Sequence, residues 1–514
     1  MTLTNPTPKL AELRDELDQL ATQNTSGRRA RRAATTDPAP EGSTPSGNGV
    51  LADPVHEPNG YSPQRRKWLS RIGFYVPTAH GAPSTTRQSE LLNTGMLSAP
   101  TSVEGVLIGD DTLTLTMVAW DPVTAYYLGL VDSPNVVVLG DVGSGKSSLL
   151  KTCYLLRPMI LKDIRFVVID KKPNGTAAPG ADGVEALVGE YHQVAEAADV
   201  TPIRFEIGGG GSCINILDPD LLPDDAKGVG TLGILTRACE LLEGGQPLTA
   251  LQRKALRDTL RRVRTAHAAA GTVPVLQDLI DALYQGDVPT GTRLRPNASD
   301  ALYMASVHVA AVLEQLVEEM PGLFDGPTSE DVRFDDKLTV FDINALPEEG
   351  AALNIVVMLI NVWVLGSLRQ LRRQGKEIVT YFLVDEGWYL VGGPMGKVIR
   401  SNAKLSRGLG LVNIVGLHHI SDIPADDPAI AFVKEAGTMH LYRQARSDDA
   451  EMVERIANLQ PGAASLLQTL SKGEHLLKAG LKPEIRVRHL RSRVETTLTN
   501  TDGGLTGGRE RKAA

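Results

Sequence analysis

The pattern of apolar and polar positions predicts a parallel sheet with helices on both faces. Apolar runs typical of buried strands lie at 135–139 and 165–169, with a helix-like stretch between them. Three later runs, at 338–341, 379–384 and 412–416, fit the same sheet. Strands that alternate with helices are typical of parallel sheets, and near-continuous apolar strands indicate burial on both faces. The chain is therefore predicted to be an α/β protein with a mostly parallel sheet flanked by helices.

A long segment between the second strand and the later strands carries almost no strand signal. Helical periodicity covers 226–242, 250–269 and 275–284. Apolar residues recurring at spacings of three and four are typical of helices with one buried face. The segment is therefore predicted to be an all-helical insertion in the α/β core.

The sequence between the first two of these helices, Leu242 to Gln246, resembles the signature loop of ABC transport ATPases. In ABC domains that loop shortly precedes an acidic strand, whereas more than a hundred residues separate the two here. A turn between two helices, with Thr249 as the N-cap of the second, is the better interpretation.

The region before the core contains short β-like runs at 105–108 and 112–116. The second run alternates polar and apolar residues strictly, which is typical of a half-buried strand. The two runs predict a small sheet ahead of the core.

The first 65 residues differ from the rest in composition. Leucines spaced by three and four over 9–23 predict a short amphipathic helix, which either docks onto a partner or frays in isolation. A run rich in Pro, Gly, Ser and Asn follows to about residue 59 and predicts a disordered linker. Its arginine cluster at 28–32 is either a contact for anionic lipid or DNA or a solvated charge run.

Composition narrows the class of protein. With 514 residues, 42% hydrophobic and 22% charged, the chain can bury a large core and should contain more than one domain. No apolar run is expected to reach the roughly 18 residues of a membrane span, and the N-terminus lacks the apolar region of a signal peptide, so a cytoplasmic protein without an integral membrane segment is expected. The net charge of −8 argues against a surface permanently coated by DNA, but a local basic channel for DNA stays open.

The three cysteines, Cys153, Cys213 and Cys239, are far apart in the sequence. They have neither C-x-x-C nor Cys/His spacing, which argues against disulfides and structural zinc. They are expected to be small buried apolar residues.

A glycine-rich loop, G-D-V-G-S-G-K-S, follows the first strand and precedes a helix. This G-x-x-x-x-G-K-[ST] pattern cradles phosphates with backbone N–H groups, its lysine reaches the β- and γ-phosphates, and its last hydroxyl binds Mg²⁺. A chance glycine-rich turn is the alternative, but the flanking strand and helix favour the phosphate loop. ATP and Mg²⁺ are the expected ligands. The residues expected to bind the nucleotide are Gly140, Gly143, Ser144, Gly145, Lys146, Ser147 and Ser148, with Ser147 also on the metal.

The apolar strand at 379–384 ends in two adjacent carboxylates, Asp385 and Glu386. Carboxyl ends of parallel strands form the edge where ligands bind. Asp385 is expected to hold Mg²⁺ directly or through water, and Glu386 to polarise the water that attacks the γ-phosphate. Many strands end in an acidic turn, so the pairing with the phosphate loop is what favours a hydrolytic site.

Several segments, in order, resemble the motor of conjugative, type IV secretion ATPases of the FtsK/HerA class. They are Asp121-Pro122, Gly189-Glu190-Tyr191, INILDP at 214–219, GLFDG at 322–326, and Asp385-Glu386-Gly387-Trp388. The resemblance spans about 120–494. It implies a P-loop NTPase with a RecA-like sheet and an inserted helical subdomain. It also implies an ATPase that energises DNA or protein transfer, as a homo-hexameric ring on the cytoplasmic face of a membrane, with components of a secretion channel as partners.

Three features depart from the family's pattern. His418 stands where the family has the glutamine of a Thr-Gln pair, so it is either a γ-phosphate sensor or a structural histidine. Lys171-Lys172-Pro173 opens a Gly/Ala-rich stretch that is predicted to be a surface loop insertion. The region ahead of the motor is also shorter than in large family members.

Ring ATPases complete their site with an arginine from the neighbouring subunit. Arg407 and Arg443 both lie near predicted strand ends. Each is either that catalytic arginine or a surface residue paired with an acid.

These observations predict a motor for conjugation or secretion. Two alternatives stay open: an FtsK-type translocase of double-stranded DNA, and a nucleotide-gated scaffold with little hydrolysis. The expected division is an arm at 1–65, a small β-containing region at 66–120, the ATPase core at 121–221 and 336–495, the helical subdomain at 222–335, and a disordered tail at 496–514.

Overall fold

The computed structural model describes most of the chain from residue 104 onward. The described ranges are 104–179, 185–221, 229–286, 296–334, 337–348, 350–387, 408–420, 423 and 428–499, with the backbone alone at 61–64 and 76–79. The predicted helix at 9–23 and the arginine cluster at 28–32 lie outside these ranges.

The strands of the described residues are numbered in chain order. They are β1 (Tyr61–Gln64), β2 (Val76–Ala79), β3 (Val106–Asp111), β4 (Met117–Trp120), β5 (Val136–Leu139), β6 (Ile164–Asp170), β7 (Pro173–Pro179), β8 (Glu185–Gly189), β9 (Ile203–Arg204), β10 (Leu338–Asp342), β11 (Val379–Val384), β12 (Leu411–Leu417), β13 (Thr438–Leu441), β14 (Glu474–Ala479) and β15 (Ile485–His489).

One sheet of eleven strands organises the molecule, in the order β4-β3-β15-β14-β13-β5-β12-β11-β6-β10-β9. The seven strands from β13 to β9 run parallel to their neighbours. The four at the other edge pair antiparallel. The mostly parallel sheet predicted from the apolar runs is confirmed.

The helices are likewise numbered in chain order. They are α1 (Pro122–Tyr127), α2 (Lys146–Lys151), α3 (His192–Ala197), α4 (Val229–Leu242), α5 (Ala250–Ala270), α6 (Leu276–Gln285), α7 (Pro296–Glu319), α8 (Ala351–Arg373), α9 (Pro428–Glu435), α10 (Ser447–Ile456), α11 (Ala463–Thr469) and α12 (Arg493–Leu498). A π-helical turn, Thr152–Leu156, continues α2 without a break.

The parallel strands are buried on both faces, which explains their continuous apolar sequences. In β5, Val136 and Val138 pack into one core cluster and Val137 and Leu139 into another. Successive side chains of a strand point to opposite faces of the sheet. An apolar run without alternation therefore requires a covering layer on each side.

Helix α8 corrects one expectation from composition. It is long and apolar enough to cross a membrane, with a mean hydropathy of 2.1, although no such run was expected. However, 78% of its most apolar window is buried inside the protein, within the core cluster of the helical insertion and the sheet. A core helix of a globular domain passes the same test of length and composition.

Where the structure describes it, the segment between β9 and β10 contains four helices, α4 to α7. The predicted turn between α4 and α5 is present, and Thr249 caps α5 in a capping box with Gln252. The Thr249 hydroxyl accepts the backbone N–H of Gln252, while the Gln252 side chain accepts that of Thr249. The resemblance of this turn to an ABC signature is thus only local.

The predicted strand at 112–116 is wrong, because these residues form the turn between β3 and β4. Asp111 organises that turn: its carboxylate accepts the backbone N–H of Leu113 and the hydroxyl of Thr114. Leu115 adopts a positive φ of 56°, which breaks the extended backbone. Short-range hydrogen bonds from an Asp side chain outweigh the alternation of the sequence here.

Two further predictions of local structure differ from what the structure shows. Strands β3 and β4 form no sheet of their own but extend the main sheet through β15. The stretch after Lys172, expected as a surface loop, contains the antiparallel strands β7 and β8. Two of the cysteines, Cys153 and Cys239, are buried as expected, whereas Cys213 is partly exposed.

Candidate active site

The glycine-rich loop connects β5 to α2 at the carboxyl edge of the parallel strands. Gly145 is the N-cap of α2 and has a φ of +114°, a left-handed conformation that glycine adopts without strain. Gly140 needs its missing side chain for a different reason. A Cβ at this position would lie 2.4 Å from Cβ of Tyr442, so the loop can pack against the end of β13 only with glycine there.

Backbone hydrogen bonds hold the loop against three neighbouring strands. Asp141 N donates to Arg443 O at 2.9 Å, after β13, and Gly140 N donates to Leu417 O at 3.3 Å, at the end of β12. Gly473 N, just before β14, donates to Ser144 O at 2.9 Å. Within the loop, the Ser144 hydroxyl donates to Asp141 O at 2.7 Å. The sheet therefore fixes the loop in place.

Lys146 is buried and turns back into the loop. Its ammonium donates to Gly140 O at 2.5 Å and to Asp141 O at 2.9 Å, and lies 3.0 Å from Nδ1 of His418. Burial lowers the pKa of Lys146 to about 8, although the carboxylates of Asp385 and Glu386 favour its charged form. The ammonium thus lies inside the loop, where a phosphate cradle requires it.

Strand order brings the acidic pair to the same edge. β12 lies between β5 and β11, and Val384 is in register with Val415. A Cβ on Gly416 would lie 2.2 Å from the backbone oxygen of Asp385, so glycine permits this close approach. Asp385 and the loop therefore face each other across one intervening strand.

Asp385 has the environment of a cation ligand. Its Oδ1 is buried and accepts no hydrogen bond within the described residues, and the nearby Ser147 hydroxyl acts to lower the pKa of the same carboxylate. Burial raises the pKa of Asp385 to about 6, and the nearby charges of Glu190 and Glu386 act in the same direction. A divalent cation would offset the free-energy cost of burying the ionised carboxylate. Hydroxyl and carboxylate oxygens are the ligands that Mg²⁺ prefers. The residues present fit a magnesium ion.

His418 joins the two halves of the site. Its Nε2 lies 2.7 Å from Oε2 of Glu386, and its Nδ1 lies 3.0 Å from the Lys146 ammonium. An ammonium can only donate, so Nδ1 must be the acceptor and Nε2 the donor to Glu386. The contacts therefore fit the neutral imidazole with its proton on Nε2.

The pKa of Glu386 is lowered even though burial alone would raise it. The hydrogen bond that His418 donates lowers it most, and the positive charges of Lys172 and Lys146 add to the effect. A carboxylate that stays ionised can accept a proton or a hydrogen bond from water. This property suits the base that was expected at this position.

Two more residues, Tyr191 and Lys172, contact the acidic pair and were given no role from the sequence. The Tyr191 hydroxyl donates to Oδ2 of Asp385 at 3.2 Å. Buried Glu190 pairs with Lys151 at 3.3 Å and with Lys172 at 2.8 Å, and Lys172 lies 3.8 Å from Oε1 of Glu386. The end of β6 beside β11 is the signal that could have revealed Lys172, since adjacent parallel strands end at the same edge.

The remaining predicted site residues lie apart from this centre or outside the description. Arg443 is half exposed, and its Nε lies 3.7 Å from Oδ2 of Asp141, in the phosphate loop of its own chain. The Ser148 hydroxyl accepts from Arg491 at 3.2 Å. Arg407 lies outside the described residues, so its role stays a prediction.

No protein-family model matches the sequence, and no match was found among curated proteins. Among solved structures, VirB4 of Thermoanaerobacter pseudethanolicus matches with a TM-score of 0.57 at 19% identity, over 78% of this chain and 100% of that one. The bacterial conjugative coupling protein TrwB, truncated at its N-terminus, gives a TM-score of 0.45 at 14% identity, over 78% and 90% of the two chains. Its complex with ADP and Mg²⁺ gives 0.42 at 14% identity, over 77% and 96%.

The likeness in fold rests on the VirB4 structure, whose TM-score exceeds 0.5. The parallel sheet and the surrounding helices agree with what the resemblance implied, so the predicted fold class is confirmed. The chain has the fold of VirB4 of Thermoanaerobacter pseudethanolicus.

Proposed function

We propose that this chain is an ATP-hydrolysing motor that energises conjugative DNA transfer or a related secretion process. The observation that carries the proposal is the convergence of four side chains at one sheet edge. Lys146 and Ser147 come from the phosphate loop, and Asp385 and Glu386 come from β11, with His418 in contact with both groups. The fold of VirB4 supports the same class of protein.

The chemistry follows from what each group can do. Ser147 and Asp385 would hold Mg²⁺, which supplies positive charge to the β- and γ-phosphate oxygens. Lys146 exchanges the carbonyl oxygens of Gly140 and Asp141 for phosphate oxygens when ATP binds. Glu386 orients a water for in-line attack and accepts its proton as ADP and phosphate form.

His418 links nucleotide binding to the base. Because its two ring nitrogens contact Lys146 and Glu386, removal of the ammonium towards a phosphate breaks one of its contacts. The imidazole can then turn its N–H towards the γ-phosphate and release Oε2 of Glu386 to water. We assign it the sensing role that glutamine has in related motors.

Two substitutions test the hydrolytic site. Glu386→Gln removes the base and is expected to lower the rate of phosphate release by about 10²- to 10⁴-fold with ATP binding retained. Lys146→Ala is expected to lose both hydrolysis and tight binding. Lys162→Gln, at an exposed lysine before β6, is the matched control. Normal hydrolysis by Glu386→Gln would contradict the assignment, and tight ATP binding with negligible turnover in the unaltered protein would favour the nucleotide-gated scaffold instead.

Assembly and location are part of the proposal. We infer a homo-hexamer on the cytoplasmic face of a membrane, in contact with components of a secretion channel, in which Arg407 or Arg443 completes a neighbouring site. Mixing unaltered subunits with Lys146→Ala subunits tests this. A shared site predicts that activity falls faster than the fraction of unaltered subunits, whereas independent subunits predict a proportional fall.

A second candidate function is that of an FtsK-type translocase of double-stranded DNA, and a basic helix favours it. Helix α5 contains six arginine or lysine residues and one aspartate. Arg253, Arg257 and Arg261 are exposed and recur every four residues, so they form one stripe with steps of about 6 Å along the helix. Such a stripe in a chain of net charge −8 can contact a phosphate backbone.

The DNA candidate has its own experiment. ATP hydrolysis is measured with and without double-stranded DNA at several salt concentrations, for the unaltered chain and for a variant with glutamine at these three arginines. Stimulation that weakens steeply with salt and is lost in the variant supports translocation of DNA. Equal stimulation in both proteins, or none, contradicts this role for α5.

A further inference from the structure

Charged side chains of alternating sign form a continuous chain behind the catalytic carboxylate. Buried Lys151 contacts Oε2 of Glu190 at 3.3 Å, and Oε1 of Glu190 contacts Lys172 at 2.8 Å. Lys172 lies 3.8 Å from Oε1 of Glu386, whose Oε2 contacts His418. The two oxygens of the catalytic carboxylate therefore have different partners, one cationic and one an imidazole.

Glu190 and Lys151 form the buried end of this series of charged side chains. The side chain of Glu190 is only 1% exposed and that of Lys151 is fully buried. Glu190 N also donates to Lys172 O at 2.9 Å, so backbone and side chain both tie the two residues together. Lys172 itself is 40% exposed and opens towards the site edge. A half-exposed ammonium held by a buried carboxylate has a fixed position at low cost in desolvation.

Register explains why Lys172 reaches Glu386. β6 and β11 are parallel neighbours, with Ile169 opposite Val384. Asp170 and Asp385 thus end the two strands at the same level, and the residues that follow continue beyond the same edge. The ammonium is closest to Oε1 of Glu386, whereas His418 contacts Oε2.

We propose that Lys172 is a positioning residue that holds Oε1 of Glu386 while Oε2 is exchanged between His418 and the attacking water. This inference rests on the hydrolytic function proposed above. His418 must leave the carboxylate during the cycle if it responds to the γ-phosphate. Lys172 does not have to move, because the contacts of its anchor Glu190 within the described part of the chain are with Lys151 and Lys172 rather than with the nucleotide-binding groups. Without Lys172, Glu386 would lose its remaining fixed partner at the moment when it must orient water.

The inference predicts an effect on turnover rather than on binding. Lys172 contacts the base and not the phosphate loop, so ATP affinity should be preserved. A base displaced by about 1 Å can lower a rate by about 100-fold. Loss of the positioning ammonium should therefore reduce kcat by about 10- to 100-fold and leave KM within about twofold.

The experiment compares Lys172→Gln and Lys172→Met, which remove the charge, with Lys172→Arg, which keeps it. Steady-state kcat and KM, the ATP dissociation constant and the Tm are measured for each, with Lys162→Gln as the charge-matched control. We expect both neutral variants to lose kcat with unchanged ATP binding, and Lys172→Arg to restore most of it. In a Glu386→Gln background, Lys172→Gln should cause no further loss, because both residues act through one carboxylate.

Several outcomes would overturn the inference. They are an unchanged kcat in the neutral variants, a rise in KM alone, an equal loss in Lys172→Arg, or a loss of activity that merely follows a lower Tm. If Glu386→Gln is inactive while the Lys172 variants retain full activity, only the positioning role fails. If the unaltered chain does not hydrolyse ATP, the proposed function fails and the positioning role fails with it.

Discussion

Two buried polar clusters flank the helix that follows the phosphate loop. They differ in how the free-energy cost of burying ionisable groups is avoided. On one side, Lys151, Glu190 and Lys172 form ion pairs next to the acidic strand. On the other side, His489 of β15 and His440 of β13 contact the π-helical turn, and His475 of β14 packs against His440. The first cluster keeps its charges because they alternate in sign. The second contains no opposite charge that would offset the cost of a buried imidazolium.

The histidine cluster is held neutral by burial. Neither ring nitrogen of His475 has a hydrogen-bond partner in the part of the chain that the structure describes, and burial lowers its pKa to about 3. The pKa of His489 falls to about 2, mainly by burial, with His475, Arg157 and Arg491 adding to the effect. His440 shares a 2.6 Å hydrogen bond with the Tyr154 hydroxyl, and its pKa is also well below the usual value because it is buried beside the other two.

The two clusters show that a buried side chain near this site stays charged where a group of opposite charge lies next to it. The ion-paired cluster is therefore the more sensitive of the two to loss of one member, and the neutral cluster is the more sensitive to acid. Each of these two expectations can be tested with a substitution in the corresponding cluster.

The largest effect is expected for Glu190→Gln. This change removes the carboxylate that lies 3.3 Å from the buried ammonium of Lys151, and removal of one partner of a buried pair costs about 3–5 kcal/mol. Urea unfolding at neutral pH measures the loss. The double variant Lys151→Met with Glu190→Gln should recover most of that free energy, because no unpaired charge remains. Equal destabilisation in the single and double variants would show that the two charges are not coupled.

The strands and the phosphate loop that frame the candidate site could be predicted from the sequence, and physical reasons explain this. The strands that carry the site residues are continuous apolar runs in the sequence. The phosphate loop is a local motif whose function depends on its own eight residues. Asp385 and Glu386 were found because they directly follow β11. Each of these signals is contained in a short segment.

Contacts between distant segments could not be found in this way. Lys172 belongs to a stretch that was interpreted as a surface loop, yet β6 and β11 bring it to Glu386. His475 and His440 meet only because β13 and β14 pair antiparallel. The turn at 112–116 was missed for the opposite reason, since hydrogen bonds of one Asp111 side chain outweigh a clear strand pattern.

A second, smaller effect is expected in the neutral cluster as the pH falls. The folded-state pKa of His475, about 3, is below the usual value of 6.5, so its contribution to stability is full above pH 6.5 and is lost as the pH falls towards 3. Each pH unit in that interval costs about 1.4 kcal/mol. Replacing His475 by Phe should therefore remove about 2–3 kcal/mol of the acid-induced loss between about pH 6.5 and about pH 4.5.

This prediction is a difference between two proteins, because other groups titrate in the same interval. Asp385, with a pKa raised to about 6, binds a proton in the folded state first and contributes stability in the opposite direction. That contribution is the same in both proteins and cancels. Urea unfolding at several pH values gives the two slopes, and His192→Gln is the control outside the cluster. Parallel slopes for the unaltered chain and His475→Phe would contradict a neutral, buried His475.

The smallest effect compares one tyrosine hydroxyl on each side of the helix. Tyr191 donates to the Asp385 carboxylate at 3.2 Å, whereas Tyr154 shares its hydrogen bond with the neutral ring of His440. Hydrogen bonds to charged groups contribute about 1.5–3 kcal/mol and those between neutral groups about 0.5–1.5 kcal/mol. Tyr191→Phe should therefore lower the free energy of unfolding more than Tyr154→Phe, although both remove only an oxygen atom.

The measurement is made at about pH 8, where Asp385 is ionised, and again near pH 5, where the protonated carboxyl no longer offers a charged acceptor. The difference between the two variants should shrink at the lower pH, because the carboxyl of Asp385 then resembles the neutral partner of Tyr154. A difference that stays constant would mean that the two hydroxyls contribute through packing alone. In that case the charge of the partner would not distinguish the two sides of the helix.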